Sequence, residues 1–249
     1  MSKGKETHAV CASQDAGAVA AGPQGSGLLA PMGRIQKIIC RRMTWSKQHI
    51  PSFYLRLAAD IGDLLDMRRG AGVKGKVKVT TNDLILKAMG HAVARYPLMA
   101  GHRDGDEIVI PSIISVGFAV AAPHGLVVPV IRDIENKSLM EVAAESERLV
   151  SKARSNRLVA DDVGGACITL SNLGAFGIDA FIAVVPPRHA SVLAVGNTIK
   201  VPVDVNGSIV VRRKMELTLS VDHAIINGDY AARFLGLVRE MLEEPRRLV

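Results

Sequence analysis

A histidine beside a glycine turn is the residue of this sequence best suited to proton transfer. In the segment SVDHAIING (220–228), His223 ends an apolar stretch, and Gly228 provides a turn before the next helical pattern. An imidazole titrates at about pH 6.5 and can therefore act as a general base near neutrality. A lone histidine at a strand end is more often structural, but scaffolds commonly present reactive groups where a strand meets a turn. His223 is therefore the candidate base.

Two further segments hold polar side chains at chain turns or helix ends. TLSNLG (169–174) places hydroxyls and an amide before a tight turn, which by itself indicates ordinary turn chemistry. RRMTWSK (41–47) holds the only tryptophan and by itself is typical of a solvated helix face. The sequence contains no GxSxG nucleophile motif and no GxxxxGK[ST] motif. These absences argue against a serine hydrolase and against a P-loop phosphate-binding site.

Hydrophobic periodicity predicts the elements that position these segments. We expect helices after Arg34 up to Pro51, from a cap at Thr81 or Asn82 to Pro97, behind a Ser138–Glu141 capping box, and over 229–242. Strands are predicted over 53–60, within 108–130, and over 166–170, 189–195 and 209–221. Helices mixed irregularly with strands favour an α+β sandwich with a mixed sheet. Residues 1–31, rich in Ala, Gly and Ser, are predicted to be a flexible tail, and 32–249 a single core domain.

Composition limits the class of protein. The three cysteines, Cys11, Cys40 and Cys167, have no CxxC or Cys/His spacing, which disfavours a disulfide framework and a structural zinc site. No apolar run reaches the roughly 18 residues of a membrane span, and no hydrophobic leader is visible, so we expect a soluble cytoplasmic protein without a metal or a membrane partner. The net charge of +7 is spread over short basic clusters without interleaved aromatics. That pattern favours solvated charge over nucleic-acid binding.

Taken together, the ordered motifs point to a family. The chain resembles, over residues 32–249, the catalytic core of the dihydrolipoamide acyltransferases of 2-oxo acid dehydrogenase complexes, which are relatives of chloramphenicol acetyltransferase. The motifs are RRMTWSKQHIP (41–51), NDLILKA (82–88), PHGLVVPVIRD (123–133), KSL (137–139), TLSNLG (169–174), HAIING (223–228) and AARFL (231–235). The resemblance implies a chloramphenicol acetyltransferase-like sandwich, a mixed sheet flanked by helices, assembled as a trimer.

The resemblance also implies roles for individual residues. His223 would take the proton from the attacking thiol, and Ser171 would donate a hydrogen bond to the tetrahedral oxyanion. Asn227 stands where the family usually has an aspartate that pairs with an arginine, here Arg41 or Arg42. A neutral acceptor gives a bond roughly half as strong as a charged one. The residues implied in substrate or cofactor binding are Arg41, Arg42, Asn172 and Gly174.

Cofactors and partners follow from the same resemblance. Coenzyme A would be a substrate, and the lipoyl group would come from a separate domain or protein, since no lipoyl domain is recognisable in residues 1–31. Each active site would lie between two subunits of a homotrimer, which could assemble into a larger cubic core. The 2-oxo acid decarboxylase and dihydrolipoyl dehydrogenase components would be further partners.

Three alternatives stay open at this point. Ala224, where the family usually has arginine, and Asn227 would also fit a structural core subunit with reduced or lost catalysis. A transferase with a different acceptor, an amine or an alcohol, would keep the histidine base. Nucleic-acid binding has only the net charge in its favour. The sequence does not specify the acyl group.

Overall fold

The computed structural model of the chain describes residues 20–21, 28–71, 78–123 and 125–248. Within these ranges the α-helices are Arg34–His49 (α1), Gly62–Ala71 (α2), Thr81–Arg95 (α3), Leu139–Arg154 (α4), Ala160–Val163 (α5) and Gly228–Glu243 (α6). The strands are Ala20–Ala21 (β1), Leu28–Leu29 (β2), Ser52–Asp60 (β3), His102–Asp104 (β4), Glu107–Val109 (β5), Val116–Phe118 (β6), Val120–Ala122 (β7), Gly125–Val127 (β8), Val130–Ile131 (β9), Ile168–Asn172 (β10), Ser191–Val205 (β11) and Ser208–Asp222 (β12). Short 3-10 helices cover Pro97–Ala100, Ile134–Asn136, Gly174–Phe176 and Pro245–Leu248.

A mixed sheet organises the molecule, in the order β3-β12-β11-β10-β6-β9. β10 runs parallel to both β11 and β6, and the remaining neighbours are antiparallel. β11 and β12 form a long hairpin whose register shifts between Val195 and Thr198. The predicted α+β class and the predicted mixed sheet are confirmed.

The core lies between the sheet and the helices packed on one of its faces. α3 and α6 pack against each other, and α6 also packs against β3. Leu84, Ile85 and Met89 of α3 and Phe234 of α6 are fully buried. Each such side chain contributes about 1.5–3 kcal/mol by leaving water. The sheet residues that alternate with the core residues point to the other face, where the Ser220 hydroxyl donates to the Ala183 carbonyl.

Two helix starts are fixed by capping boxes. Ser138 caps α4 together with Glu141, as predicted. The cap of α3 is Thr80, paired with Asp83, whereas Thr81 and Asn82 were predicted. Thr80 has extended backbone dihedrals, and its hydroxyl accepts from the Asp83 amide. The side chain three residues later selects the cap, so the predicted cap was one or two residues too late.

The N-terminal segment forms one short pair of strands among the residues that the structure describes. Of the predicted tail 1–31, the structure describes only 20–21 and 28–31, where β1 and β2 pair antiparallel. α1 buries only Ser46 and leaves Ile35, Ile38, Ile39 and Trp45 exposed.

Among the described helices, none combines the length and apolarity that a bilayer span needs. The same residues contain no group of at least three His, Cys, Asp or Glu side chains placed to hold a metal ion.

Candidate active site

His223 stands one residue past the end of β12. Its backbone amide donates to the Pro51 carbonyl at 2.8 Å, which ties the end of β12 to the start of β3. The buried Asp222 closes the following turn by accepting from the Ala224 amide at 2.9 Å. Phe53 contacts the imidazole with ring centroids 4.5 Å apart. The Phe53 contact restricts the ring. In the described part of the chain no hydrogen bond engages the imidazole nitrogens of this exposed residue, so they are available to a thiol.

Asn227 caps α6. Its Oδ1 accepts from the Tyr230 backbone amide at 3.2 Å, which satisfies one of the unpaired donors of the first helical turn. The pairing with Arg41 or Arg42 that the resemblance implies is not seen: among the described residues neither arginine makes a hydrogen bond or an ion pair with Asn227. Within one chain, therefore, Asn227 holds the start of α6, four residues beyond the candidate base.

Arg41 and Arg42 lie on the exposed helix α1. This helix is anchored near its end by Ser46, whose buried hydroxyl donates to the Val185 carbonyl. Arg42 is close enough to His189 for its positive charge to disfavour protonation of that ring. Arg42 therefore lies near the sheet face that is opposite to the core helices. Among the described residues, no contact joins it to His223 or Ser171.

Ser171 is a half-buried residue of β10. Its hydroxyl has no hydrogen-bond partner within the described ranges, which leaves its proton available to an oxyanion. The next residue, Asn172, is fully engaged: its Nδ2 donates to Asn82 Oδ1 at 2.7 Å, and its Oδ1 accepts from the Gly174 amide at 2.8 Å. The predicted binding roles of Asn172 and Gly174 stay predictions, since their observed contacts are within the protein.

One chain does not bring Ser171 and His223 together. Ser171 pairs with Ala194 of β11, and Ala194 pairs with Thr218 of β12. His223 therefore lies two strands away, about 10 Å across the sheet, and five residues farther along β12, roughly another 16 Å. Because β12 runs antiparallel to β10, these two C-terminal strand ends lie at opposite ends of the sheet, and one thioester group cannot touch both side chains within a single chain.

His189 is a site feature that the sequence reasoning missed. Its Nε2 lies 3.2 Å from Thr169 Oγ1, on the same face of β10 as Ser171. Protein atoms enclose the ring, although part of the residue reaches solvent. This burial, together with the charges of Arg42 and His102, lowers the pKa of His189 to about 4. The ring is therefore neutral at physiological pH. The sequence around it, PPRHAS (186–191), carries no motif that would have singled it out.

Comparison with known proteins decides the family. The family model for the 2-oxoacid dehydrogenases acyltransferase (catalytic domain) matches residues 28–249. The chain belongs to this family. A curated relative, the dihydrolipoyllysine-residue acetyltransferase component of the pyruvate dehydrogenase complex of Rickettsia bellii, is 34% identical over 221 residues, or 87% of this chain and 53% of that protein. The chain thus spans about half the length of the curated relatives it matches, and the predicted domain boundary at residue 32 stays a prediction.

Solved structures agree with the family in fold. The cubic core of a pyruvate dehydrogenase multienzyme complex is 34% identical, with a TM-score of 0.86 over 90% of this chain and 95% of that one. A chloramphenicol acetyltransferase, 16% identical, aligns with a TM-score of 0.53 over 80% of this chain and 92% of that one, which concerns the fold alone. The predicted chloramphenicol acetyltransferase-like fold is confirmed.

One solved family member bears on the site. The dihydrolipoamide acetyltransferase of Azotobacter vinelandii is 33% identical, with a TM-score of 0.86 over 90% of this chain and 95% of that one. The work on that structure concerned the role of a serine, a histidine and an asparagine in its catalytic mechanism. The separations of those three residues along their sequence equal the separations of Ser171, His223 and Asn227 here.

Proposed function

We propose that this chain is a dihydrolipoamide acyltransferase that moves an acyl group between a lipoyl thiol and coenzyme A. The observation that carries the proposal is the match of Ser171, His223 and Asn227, in type and spacing, to the serine, histidine and asparagine studied in the Azotobacter vinelandii enzyme. The imidazole of His223 and the hydroxyl of Ser171, which have no hydrogen-bond partner among the described residues, support it, because acyl transfer needs both a base and an oxyanion donor.

The reaction begins with proton transfer to His223. A thiol with a pKa of about 8.5 is mostly protonated at neutral pH, and an imidazole can accept its proton as the sulfur attacks. The resulting thiolate forms a new carbon–sulfur bond to the thioester carbonyl, whose oxygen becomes an oxyanion. As the tetrahedral species collapses, the original carbon–sulfur bond breaks and the imidazolium returns the proton to the departing thiolate. The protein is unchanged at the end of the cycle.

Ser171 stabilises the oxyanion. Its hydroxyl is not committed to another described group, so it can donate to the developing charge without first breaking a bond. Removing one such donor typically costs on the order of 3 kcal/mol in the barrier. Donors of this kind act mainly on kcat, because the charge exists only in the transition state.

Asn227 by itself is not a sign of lost catalysis. The Azotobacter vinelandii acetyltransferase also has an asparagine at the corresponding separation from its histidine. Of the two sequence features that favour a structural core subunit, Ala224 is the one that remains. Ala224 follows the base directly, and its methyl side chain takes no part in proton transfer. The base and the oxyanion donor themselves are both still present.

The site is completed by a second subunit of a homotrimer. The separation of Ser171 from His223 within one chain supports this arrangement, because neither residue alone performs the reaction. The apolar side chains of α1 support it as well: Ile35, Ile38, Ile39 and Trp45 are each about two-fifths exposed or more in the single chain. Such a patch is typical of an interface with another protein surface.

The complex supplies the remaining components. Coenzyme A is one substrate, and the lipoyl group comes from a separate domain or protein. A cubic core and the 2-oxo acid decarboxylase and dihydrolipoyl dehydrogenase components are the predicted partners. A cytoplasmic location stays a prediction.

The test is transfer between acetyl-coenzyme A and dihydrolipoamide by the purified protein. His223→Ala should lower kcat by about 10²–10⁴-fold, the usual contribution of a general base. Asn136→Ala is the control, because Asn136 is exposed and lies outside the candidate site, so its loss should leave kcat unchanged. Full activity in His223→Ala would refute the assignment. The same assay is repeated with other acyl chains and with thiol, amine and alcohol acceptors. If the protein forms a large particle and none of these combinations gives turnover, the structural subunit is favoured instead.

A further inference from the structure

The turn that carries Ser171 is fixed by a pair of asparagine side chains. Asn172 donates through Nδ2 to Asn82 Oδ1, a contact between residues 90 positions apart in the chain. The same side chain accepts through Oδ1 from the Gly174 amide. A backbone amide can only donate, so the Gly174 contact fixes which end of the Asn172 amide is oxygen. Its nitrogen must then face Asn82, which presents oxygen.

Asn82 is itself held firmly. It is the second residue of α3, between Thr80 and Asp83, which form the capping box of that helix. Asp83 is buried; its carboxylate accepts from the Thr80 amide at 2.7 Å and from the Ser146 hydroxyl. The acceptor for Asn172 is thus mounted on a capped helix end that packs in the core. A fixed acceptor restricts the position of its donor more than a mobile surface residue would.

β11 holds the other side of the turn. The Leu173 amide donates to the Val195 carbonyl at 3.2 Å, and the Asn197 amide donates to the Ile178 carbonyl at 2.7 Å. A side-chain carbon at Gly174 would lie 2.4 Å from the Gly196 carbonyl oxygen, so the two backbones touch here. The turn therefore packs against the irregular part of β11 with no room to shift.

Ser171 directly precedes Asn172, whose side chain makes these contacts, and the Ser171 hydroxyl has no partner within the described ranges. We propose that Asn82 and Asn172 are positioning residues for Ser171: their amide pair sets the backbone from which the oxyanion donor projects. The inference rests on the proposed function. It goes beyond it by placing in the catalytic machinery a residue of α3 that touches neither substrate nor reacting atoms.

Charge-conserving and charge-changing variants separate this role from a merely structural one. Asn172→Asp keeps the acceptor for the Gly174 amide but removes the donor to Asn82 Oδ1, so the Asn82 amide must turn over to donate to the new carboxylate, and the distance that the pair sets is changed. We expect kcat to fall on the order of tenfold while KM for both substrates stays within about twofold, since small misplacements act on the transition state. Asn82→Ala should also lower kcat, whereas Asn82→Asp, which still accepts from Asn172, should keep it within about twofold.

Asn136→Ala is the matched control. Asn136 also donates a side-chain hydrogen bond, to Asp133 Oδ1 at 2.8 Å, but it is exposed and lies outside the candidate site. Its loss should leave kcat unchanged. Particle size and the thermal unfolding midpoint are measured for every variant. If Asn172→Asp does not fold, the comparison of Asn82→Ala with Asn82→Asp decides, because of the two only Asn82→Asp keeps an acceptor for Asn172.

The decisive measurement is Asn172→Asp in a Ser171→Ala background. If Asn172 acts through Ser171, the second change should alter kcat by less than about twofold once the hydroxyl is gone. The same factor of loss in both backgrounds, or a rise in KM in place of a fall in kcat, overturns the positioning role. An inactive wild-type protein would instead contradict the proposed function, so the two failures are distinguishable.

Discussion

At the scale of single residues, the site depends on which side chains are free and which are enclosed. The side chains of His223 and Ser171 have no hydrogen-bond partner among the described residues, which leaves both available to a substrate. His189 is the opposite case, a ring enclosed near Thr169 whose pKa is lowered to about 4. Burial favours the neutral imidazole of His189 over its charged form.

This environment predicts an acid sensitivity. The folded pKa of His189 is depressed below the ordinary value of 6.5, so the unfolded chain binds the proton first and acid favours unfolding. The contribution of the neutral His189 to the free energy of unfolding should be fully present above about pH 6.5. It should fall by up to about 3 kcal/mol as the pH approaches 4. Urea unfolding across this range, at one protein concentration, should show a shallower dependence for His189→Gln. Identical curves for His189→Gln and wild type would contradict the prediction.

At the scale of elements, close backbone contact fixes the turn after β10. A side-chain carbon at Gly196 of β11 would lie 1.7 Å from the Asp179 carbonyl oxygen, which is backbone and cannot move alone. Gly196→Ala should therefore displace the turn, lower the thermal midpoint by several degrees and reduce kcat more than tenfold, since Ser171 moves with it. Gly236→Ala on α6 is the control, because nothing lies within 4 Å of an added carbon and alanine favours a helix. It should be neutral or stabilising. A Gly196→Ala protein with normal kcat would show that the turn tolerates displacement.

At the scale of the whole molecule, the sheet keeps the base and the oxyanion donor of one chain apart. If they act together across a subunit boundary, Ser171→Ala and His223→Ala chains should complement each other. Co-expressed in equal amounts, they should form trimers in which about a quarter of the interfaces carry both intact residues, and kcat per chain should reach about that fraction of wild type. Separately purified and mixed without subunit exchange, they should stay at the level of the single variants. Absence of rescue in verified mixed trimers would place the site within one chain.

The sequence by itself determined the family and most of the elements, and it supplied the candidate groups of the site. Those features follow from local patterns: the periodicity of α1, the Ser138–Glu141 capping box and the histidine before a glycine turn. The cap of α3 was placed one or two residues late, because several neighbouring residues there can all serve as caps.

Only the tertiary structure decided which groups meet. The order of strands within a sheet is not encoded in any local pattern, so the separation of Ser171 from His223 became visible only with β10, β11 and β12 in place. The Asn82–Asn172 contact spans 90 positions, and the enclosure of His189 depends on segments distant from it in the chain. Hydrogen bonds and burial depend on distance in space, and folding alone brings distant parts of a chain within that range.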